Sequence, residues 1–384
     1  MSTLRFRLGL VIAGLALVAA CAAPALPSLE DRLVDPRLSR APLPQGTEGL
    51  SEALGAQTHY LHTRAGLRLA YTLIEPGAYG FDSQVQRAAE TRFRFSLSPR
   101  QIGQSPESTA LLLHGWGMDR TSLYPWALSL AEAGHRVLLV DLRGHGESGD
   151  APPGYGRHEA DDLVELISVL DAQSALSGPL HLFGVSYGAA TAAHLSHRLP
   201  DRFASVTLLE PFANAADAVR DMVPALLDSP DPRLWQRAVR ALLRLRLTPE
   251  RVEAAIAASS ARLGVDLETV ELAPLLASTS ACTLLIHGAR DRHVGVHHAR
   301  RLAAEVEALQ YRELPLEDHI TLPLRLDWLG TPVAFWMRAV AASEEPACPR
   351  FQLAADPLPE GTNPRPGRLE LIEFALNAGP SPRR

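Results

Sequence analysis

Ser186 sits in Gly184-Val185-Ser186-Tyr187-Gly188, between the apolar run Leu180 to Val185 and the helix-like run Ala189 to Leu199. Where a buried strand turns sharply into a helix, a serine Oγ is lifted clear of the sheet. Small residues are needed on both sides because the backbones approach closely there. A serine hydroxyl is a weak nucleophile at neutral pH, so it needs a base to take its proton. It also needs a carboxylate to orient that base and donors to meet the oxyanion. The plain alternative is a Gly/Ser turn without chemistry, and the rest of the chain has to choose between the two.

After a turn of this kind the acid is expected next in sequence and the histidine last. Thr283 to His287 reads as a short buried strand, and Asp291 follows it in Gly288-Ala289-Arg290-Asp291. That is the carboxyl end of the strand, where parallel sheets place their sites. Four histidines come after Asp291: His293, His297, His298 and His319. The first three share its loop or the start of the next helix. His319 follows a further strand, Tyr311 to Leu314, and is the expected base by position and by elimination. The backbone N–H of Tyr187, just after the serine, is one expected oxyanion donor. Ala110 to Leu113 reads as an apolar strand ending in His114-Gly115-Trp116-Gly117. The N–H of Trp116 there is the second expected donor, and His114 is expected to be structural.

Five blocks in order carry a resemblance: His114-Gly115-Trp116-Gly117, Asp141 to Ser148, Gly184 to Gly188, Gly288 to Asp291, and Asp318-His319. Over residues 58–342 the chain resembles the α/β-hydrolase superfamily. The resemblance implies a mostly parallel central sheet flanked by helices. It also implies a Ser186-Asp291-His319 triad working through an acyl-enzyme on carboxylic esters, with no cofactor or metal. Thioester hydrolysis, other acyl-bond hydrolysis and acyl transfer use the same residues, and the fold alone does not separate them. Some relatives take their acid from the strand end where Glu210 stands, which makes Glu210 the rival to Asp291. Asp318 stands where many members have glycine. A rival of another class is a non-catalytic envelope lipoprotein that uses the pocket for binding.

Other polar residues have plainer readings. Asp141 and His145 are expected to tie their loop by hydrogen bonds. His293 and His297 have helical i, i+4 spacing beside Asp291, but no further carboxylate in the local pattern completes a metal site. A solvated loop is expected there.

The 384 residues are 46% apolar with a net charge of −6, enough for one large domain with additions. The charge is mild and mixed, so nothing points to nucleic acid. Lysine is absent and all 37 basic residues are arginine, as a GC-rich genome would produce. Arg5 and Arg7 precede an apolar run from Leu8 to Ala20, which is short for a membrane span but suits a signal-peptide core. Residues 1–20 are expected to be that signal. Val18-Ala19-Ala20-Cys21 resembles the lipobox of bacterial lipoproteins, which implies lipidation of Cys21 and a membrane-anchored place in the bacterial envelope. Ordinary secretion is the alternative. Cys282 and Cys348 would remain, and an oxidising compartment permits but does not require their pairing.

Residues 21–57 carry Pro24, Pro27, Pro36, Pro42 and Pro44 without sustained periodicity and read as a tether. His59 to His62 and Leu67 to Ile74 read as a hairpin. Phe93, Phe95 and Leu97 alternate with Arg94 and Ser96 and suggest one more exposed strand. From Ala110 on, strands and helices alternate as in a parallel sheet covered on both faces. Residues 213–280 interrupt the alternation with amphipathic helical spacing between the sixth and seventh core strands, and are expected to form a lid over Ser186. Apolar faces there would favour an uncharged small-molecule acyl ester. Arg237, Arg240, Arg244 and Arg246, facing inward, would instead favour an anionic one. Residues 343–384 are proline-rich, with one apolar patch from Leu369 to Leu376 able to dock on the domain.

Overall fold

The computed structural model describes residues 27–39, 50–87, 91–99, 101–227, 247–343, 347–357 and 369–376. The expected signal at 1–20, Cys21, and Arg237, Arg240, Arg244 and Arg246 of the expected lid lie outside them. Among the described residues no helix is long and apolar enough to cross a membrane.

Thr58–His62 (β1) and Arg68–Ile74 (β2) form the expected antiparallel hairpin. Ser108–Leu113 (β3), His135–Val140 (β4), Leu180–Val185 (β5), Phe203–Leu209 (β6), Cys282–Gly288 (β7) and Gln310–Leu314 (β8) follow. They assemble in the order β1-β2-β4-β3-β5-β6-β7-β8. Neighbours from β4 to β8 run parallel. β3 and β5 are buried at every residue, so neither has a face for water and both faces need cover. The principal helices are Leu29–Val34 (α1), Tyr124–Glu132 (α2), Arg157–Ala172 (α3), Tyr187–Arg198 (α4), Ala215–Leu227 (α5), Pro249–Leu263 (α6), Val296–Glu305 (α7) and Leu326–Ala342 (α8). α2 and α8 cover one face, with Trp126, Leu130, Leu329 and Met337 in one core. α3, α4 and the helices of 213–280 fill a second core on the other face. Each fully buried leucine in these layers contributes roughly 1.5–3 kcal/mol. The chain leaves β3 toward β4 on one side and returns to β5 on the other. Such a switch point opens a crevice at the carboxyl ends of β3 and β5.

Three regions differ from the sequence reading. Residues 27–39 are not a free tether. Ser28 and Asp31 cap α1 reciprocally, Leu33 is buried, and Arg262 of α6 bonds Glu30 and Asp31 at 2.9 and 3.0 Å. Leu50 and Leu54 are buried as well. Helices of one or two turns are too short to show periodicity, so their apolar anchors read as loop. The strand Thr91–Leu97 exposes only one face: Arg92 and Arg94 are exposed as the alternation predicts, while Phe93, Phe95 and Leu97 are buried. It is the middle of a small separate sheet, antiparallel to Asp82–Arg87 and parallel to Leu369–Leu376. The C-terminal apolar patch thus returns as a strand, a long-range pairing that no local pattern announces. Cys282 and Cys348 are joined by a disulfide that ties the start of β7 to the segment after α8.

Candidate active site

β5 ends at Val185, and Ser186 follows at φ 52° and ψ −111°. Few non-glycine residues adopt that conformation, and they do so where the surroundings enforce it. A Cβ on Gly184 would lie 2.3 Å from the Gly188 carbonyl, and one on Gly188 would lie 2.1 Å from that of Leu113. Glycine at both positions is therefore a steric requirement. The Ser186 N–H donates to Leu209 at 2.8 Å, and its carbonyl accepts from Ala189 and Ala190 as α4 begins. The amides of Tyr187 and Gly188, the first two of α4, precede any acceptor within the helix and lie at its serine end.

His319 stands between the serine and a carboxylate. Its Nδ1–H donates to Asp291 Oδ2 at 2.6 Å, and its Nε2 accepts from Ser186 Oγ at 3.1 Å. Asp291 Oδ1 accepts the N–H groups of His293 and Val294 at 2.8 and 2.9 Å. His287 Nε2, which donates to the Val294 carbonyl, lies 3.3 Å from Oδ2. Burial opposes charge on Asp291, but His319 and His287 prevail and hold its carboxyl well below the usual carboxylate range. Burial likewise depresses His319, and the Asp291 charge and hydrogen bond outweigh it, so the imidazole is raised above its ordinary value. The two loops are laced by backbone: Ala289 donates to Leu314 and Arg290 to Glu317, both at 2.9 Å. A Cβ on Gly288 would meet the Glu317 carbonyl at 2.4 Å.

Glu210 ends β6 at φ 52° and is fully buried. Its Oε2 lies 3.5 Å from the same His319 Nδ1, yet neither of its carboxyl oxygens makes a hydrogen bond of ordinary geometry. Burial, then the Asp291 charge, push its carboxyl well above the usual range. Both carboxylates weighed from the sequence thus reach the histidine, and the donors favour Asp291.

A family model described as the alpha/beta hydrolase fold matches residues 111–251. The chain is 35% identical over 137 residues to lipase LipV of Mycobacterium tuberculosis, covering 35% of this chain and 49% of that protein. It is 29% identical over 117 residues to the uncharacterized protein YqkD of Bacillus subtilis, covering 30% of this chain and 34% of that one. The chain therefore spans a third to a half of the length of these curated relatives. The esterase Pf2001 of Pyrococcus furiosus superposes with a TM-score of 0.54 at 15% identity, covering 79% of this chain and 98% of that one. Strand order, switch-point serine and family model agree. The chain has the α/β-hydrolase fold.

The loop that carries Trp116, and Tyr187 at the start of α4, lie on either side of Ser186. A Cβ on Gly115 would sit 3.9 Å from that of Ser186, so the 114–118 loop runs against the nucleophile turn. The rings of Trp116 and Tyr187 meet edge to face at 5.1 Å. His114 is spent on structure: Nδ1 donates to the Gly115 carbonyl and Nε2 accepts from Leu142 N–H. Asp141 accepts from the N–H groups of Arg120 and Glu147 and from the Arg120 side chain, tying its loop. His145 Nδ1–H donates to the Arg143 carbonyl of its own loop at 2.9 Å. Asp318, in place of glycine, accepts from Ile320 and Thr321 N–H and caps the turn that carries His319.

Three contributors escaped the sequence reading. Buried Glu159 accepts from Gly154 and Gly156 N–H and from the Tyr187 hydroxyl, holding the residue next to Ser186. Its place three residues after Gly156 is a helix-start signal that was readable. Arg325, fully buried, bonds Glu317, Asp327 and Asp356 beneath the His319 loop. Asp221 of α5 accepts from Gly295 N–H and faces both His297 and His298 at 3.6 and 3.5 Å. This is the carboxylate that no local pattern supplied. His298 Nδ1 already accepts from Ala213 N–H, so its Nε2 carries the proton and faces Asp221 at 3.5 Å without a hydrogen bond of ordinary geometry. That chemistry suits a clasp between α5 and α7 better than a metal ligand.

Proposed function

We propose that this α/β-hydrolase is a serine hydrolase that cleaves carboxylic esters through an acyl-enzyme. The observation that carries the reading is the continuous path from Ser186 Oγ through His319 to Asp291, at 3.1 and 2.6 Å. His319 Nε2 takes the proton as Oγ bonds to the acyl carbon, and Asp291 stabilises the imidazolium. The backbone N–H groups of Trp116 and Tyr187 receive the oxyanion. Collapse breaks the ester C–O bond, and the proton passes from His319 to the departing alcohol. Water, deprotonated by the same histidine, then releases the acid and restores Ser186. The likeness to a lipase over 137 residues supports acyl-ester chemistry. A fluorophosphonate probe should label the protein, and Ser186→Ala should abolish labelling and reduce ester turnover about a million-fold. Activity within tenfold of the parent would reject Ser186 as nucleophile.

The protein is held at a bacterial membrane by lipid on Cys21, with residues 213–280 acting as a lid over the serine. Two or more acyl chains anchor stably where one is marginal. Labelled fatty acid should enter the parent but not Cys21→Ser, and equal incorporation would reject the anchor.

A further inference from the structure

We propose that Glu210 is a reserve positioning acid for His319, silent while Asp291 is present and able to orient the same imidazole edge when Asp291 is not. The proposal rests on the serine-hydrolase reading of this site. The two carboxyl groups approach one atom from two strand ends, Asp291 after β7 and Glu210 at the end of β6. They differ in what else they touch. Asp291 collects two backbone N–H donors, His319 and the flank of His287, so its negative charge is met on every side. Glu210 has only the weak influence of the Gly288 N–H, and it faces the charges of Asp291, Asp318 and Glu317 from the neighbouring loops. A carboxylate without donors cannot stay ionised in a dry site next to another anion. Glu210 is therefore the neutral member of the pair, and a neutral carboxyl 3.5 Å from Nδ1 leaves the Asp291 hydrogen bond undisturbed.

The backbone argues that this placement is built. Glu210 shares with Ser186 a left-handed φ of 52° that a β-strand residue does not adopt on its own account. Its N–H donates to the Ile286 carbonyl at 2.9 Å, which locks the turn against β7. Neutralising Asp291 removes one of the two largest causes that keep Glu210 protonated, and the other, burial, is then opposed by the His319 Nδ1–H that has lost its acceptor. Glu210 then loses its proton to solvent, and the new carboxylate lies within reach of Nδ1–H after a shift of under about 1 Å, given ordinary hydrogen-bond lengths.

The test is ester kinetics as a function of pH on Asp291→Asn, Glu210→Gln and the double variant, with circular dichroism to establish folding. An amide in place of the triad acid, without a substitute, costs about ten-thousandfold. With Glu210 in reserve, Asp291→Asn should lose only ~100-fold, and the double variant should fall ~100-fold further. The rate of Asp291→Asn should still rise with pH through a limb above the ordinary imidazole range, because an anion again faces His319. In the double variant that limb should drop. A merely structural glutamate would move stability but not the limb. Asp291→Asn falling at once to the level of the double variant, with the same limb, would overturn the proposal. Glu210→Gln costing more than Asp291→Asn would also overturn it, since Glu210 would then be the primary acid. If glutamine unfolds the protein, Glu210→Met replaces it in the same comparison. Loss of the serine-hydrolase reading shows separately, as full turnover in Ser186→Ala or His319→Ala.

Discussion

On the proposed mechanism the chemistry at Ser186 depends on a proton that must leave, and therefore on the state of His319. The base works only when neutral. Burial depresses its ionisation, but the Asp291 charge and hydrogen bond raise it beyond the ordinary 6.5. The sign follows directly: protonated His319 predominates below its shifted value and is inactive, so activity rises with pH through a limb above 6.5. Sequence alone supports the ordinary histidine range of about 6 to 7, and the contact with Asp291 moves the limb upward from the ordinary value. A pH profile of kcat/KM on a neutral ester measures this. A limb below 6.5 would mean that burial, not Asp291, governs the ring. His293 is the control: its ring lies 5.5 Å from that of His319. Burial, then the neighbouring imidazole, lower its own ionisation. His293→Ala should therefore keep the limb.

Between residues and fold lie the elements that bring remote segments together, and their ties are testable one by one. The disulfide joins Cys282 to Cys348 across a sequence separation of 66. It fixes the segment in which Phe351 is buried beside β8, with its N–H donating to the Gln310 side chain at 2.7 Å. A cross-link over a loop of this size constrains the unfolded chain, and its loss should cost about 2–4 kcal/mol. Urea unfolding with and without reductant should show a lower midpoint for the reduced protein. Identical midpoints would mean that the two thiols are not linked in solution. The arm at 27–39 is a second such tie. Gly117 in the oxyanion loop has φ +68°, and a Cβ there would lie 2.3 Å from the Ser39 carbonyl. The arm thus touches both helix α6 and the loop that carries Trp116.

For the molecule as a whole, the buried histidines set the acid limit. Burial depresses His135 to about 4 and His145, His181 and His194 to about 3. The unfolded chain binds protons at these groups below about 6.5 and the folded chain does not. Stability is therefore complete above 6.5 and falls as the pH drops toward 3 to 4. At pH 5 each group costs on the order of 2 kcal/mol. The urea midpoint should decline between pH 6.5 and 5, above the range where ordinary surface carboxylates titrate. His135→Asn with His181→Asn should flatten that decline. A midpoint constant over this window would contradict the burial of these rings.

The sequence by itself determined the strand-turn-helix around Ser186, the parallel sheet, and the order serine, acid, histidine. These are local or ordered features: an apolar run of strand length, glycines where backbones must touch, a carboxylate and a histidine each just past a strand. What tertiary structure decided is whatever depends on which segments meet. The strand at 369–376 finds its partner at 91–97, Asp221 crosses to His297 and His298, and the arm at 27–39 packs on α6. The two acids show the division most plainly. Sequence could place Asp291 and Glu210 at strand ends but could not rank their surroundings. The fold gives backbone donors to one and withholds them from the other. The cost of charge in a dry site depends on those donors, so the charge resides on Asp291.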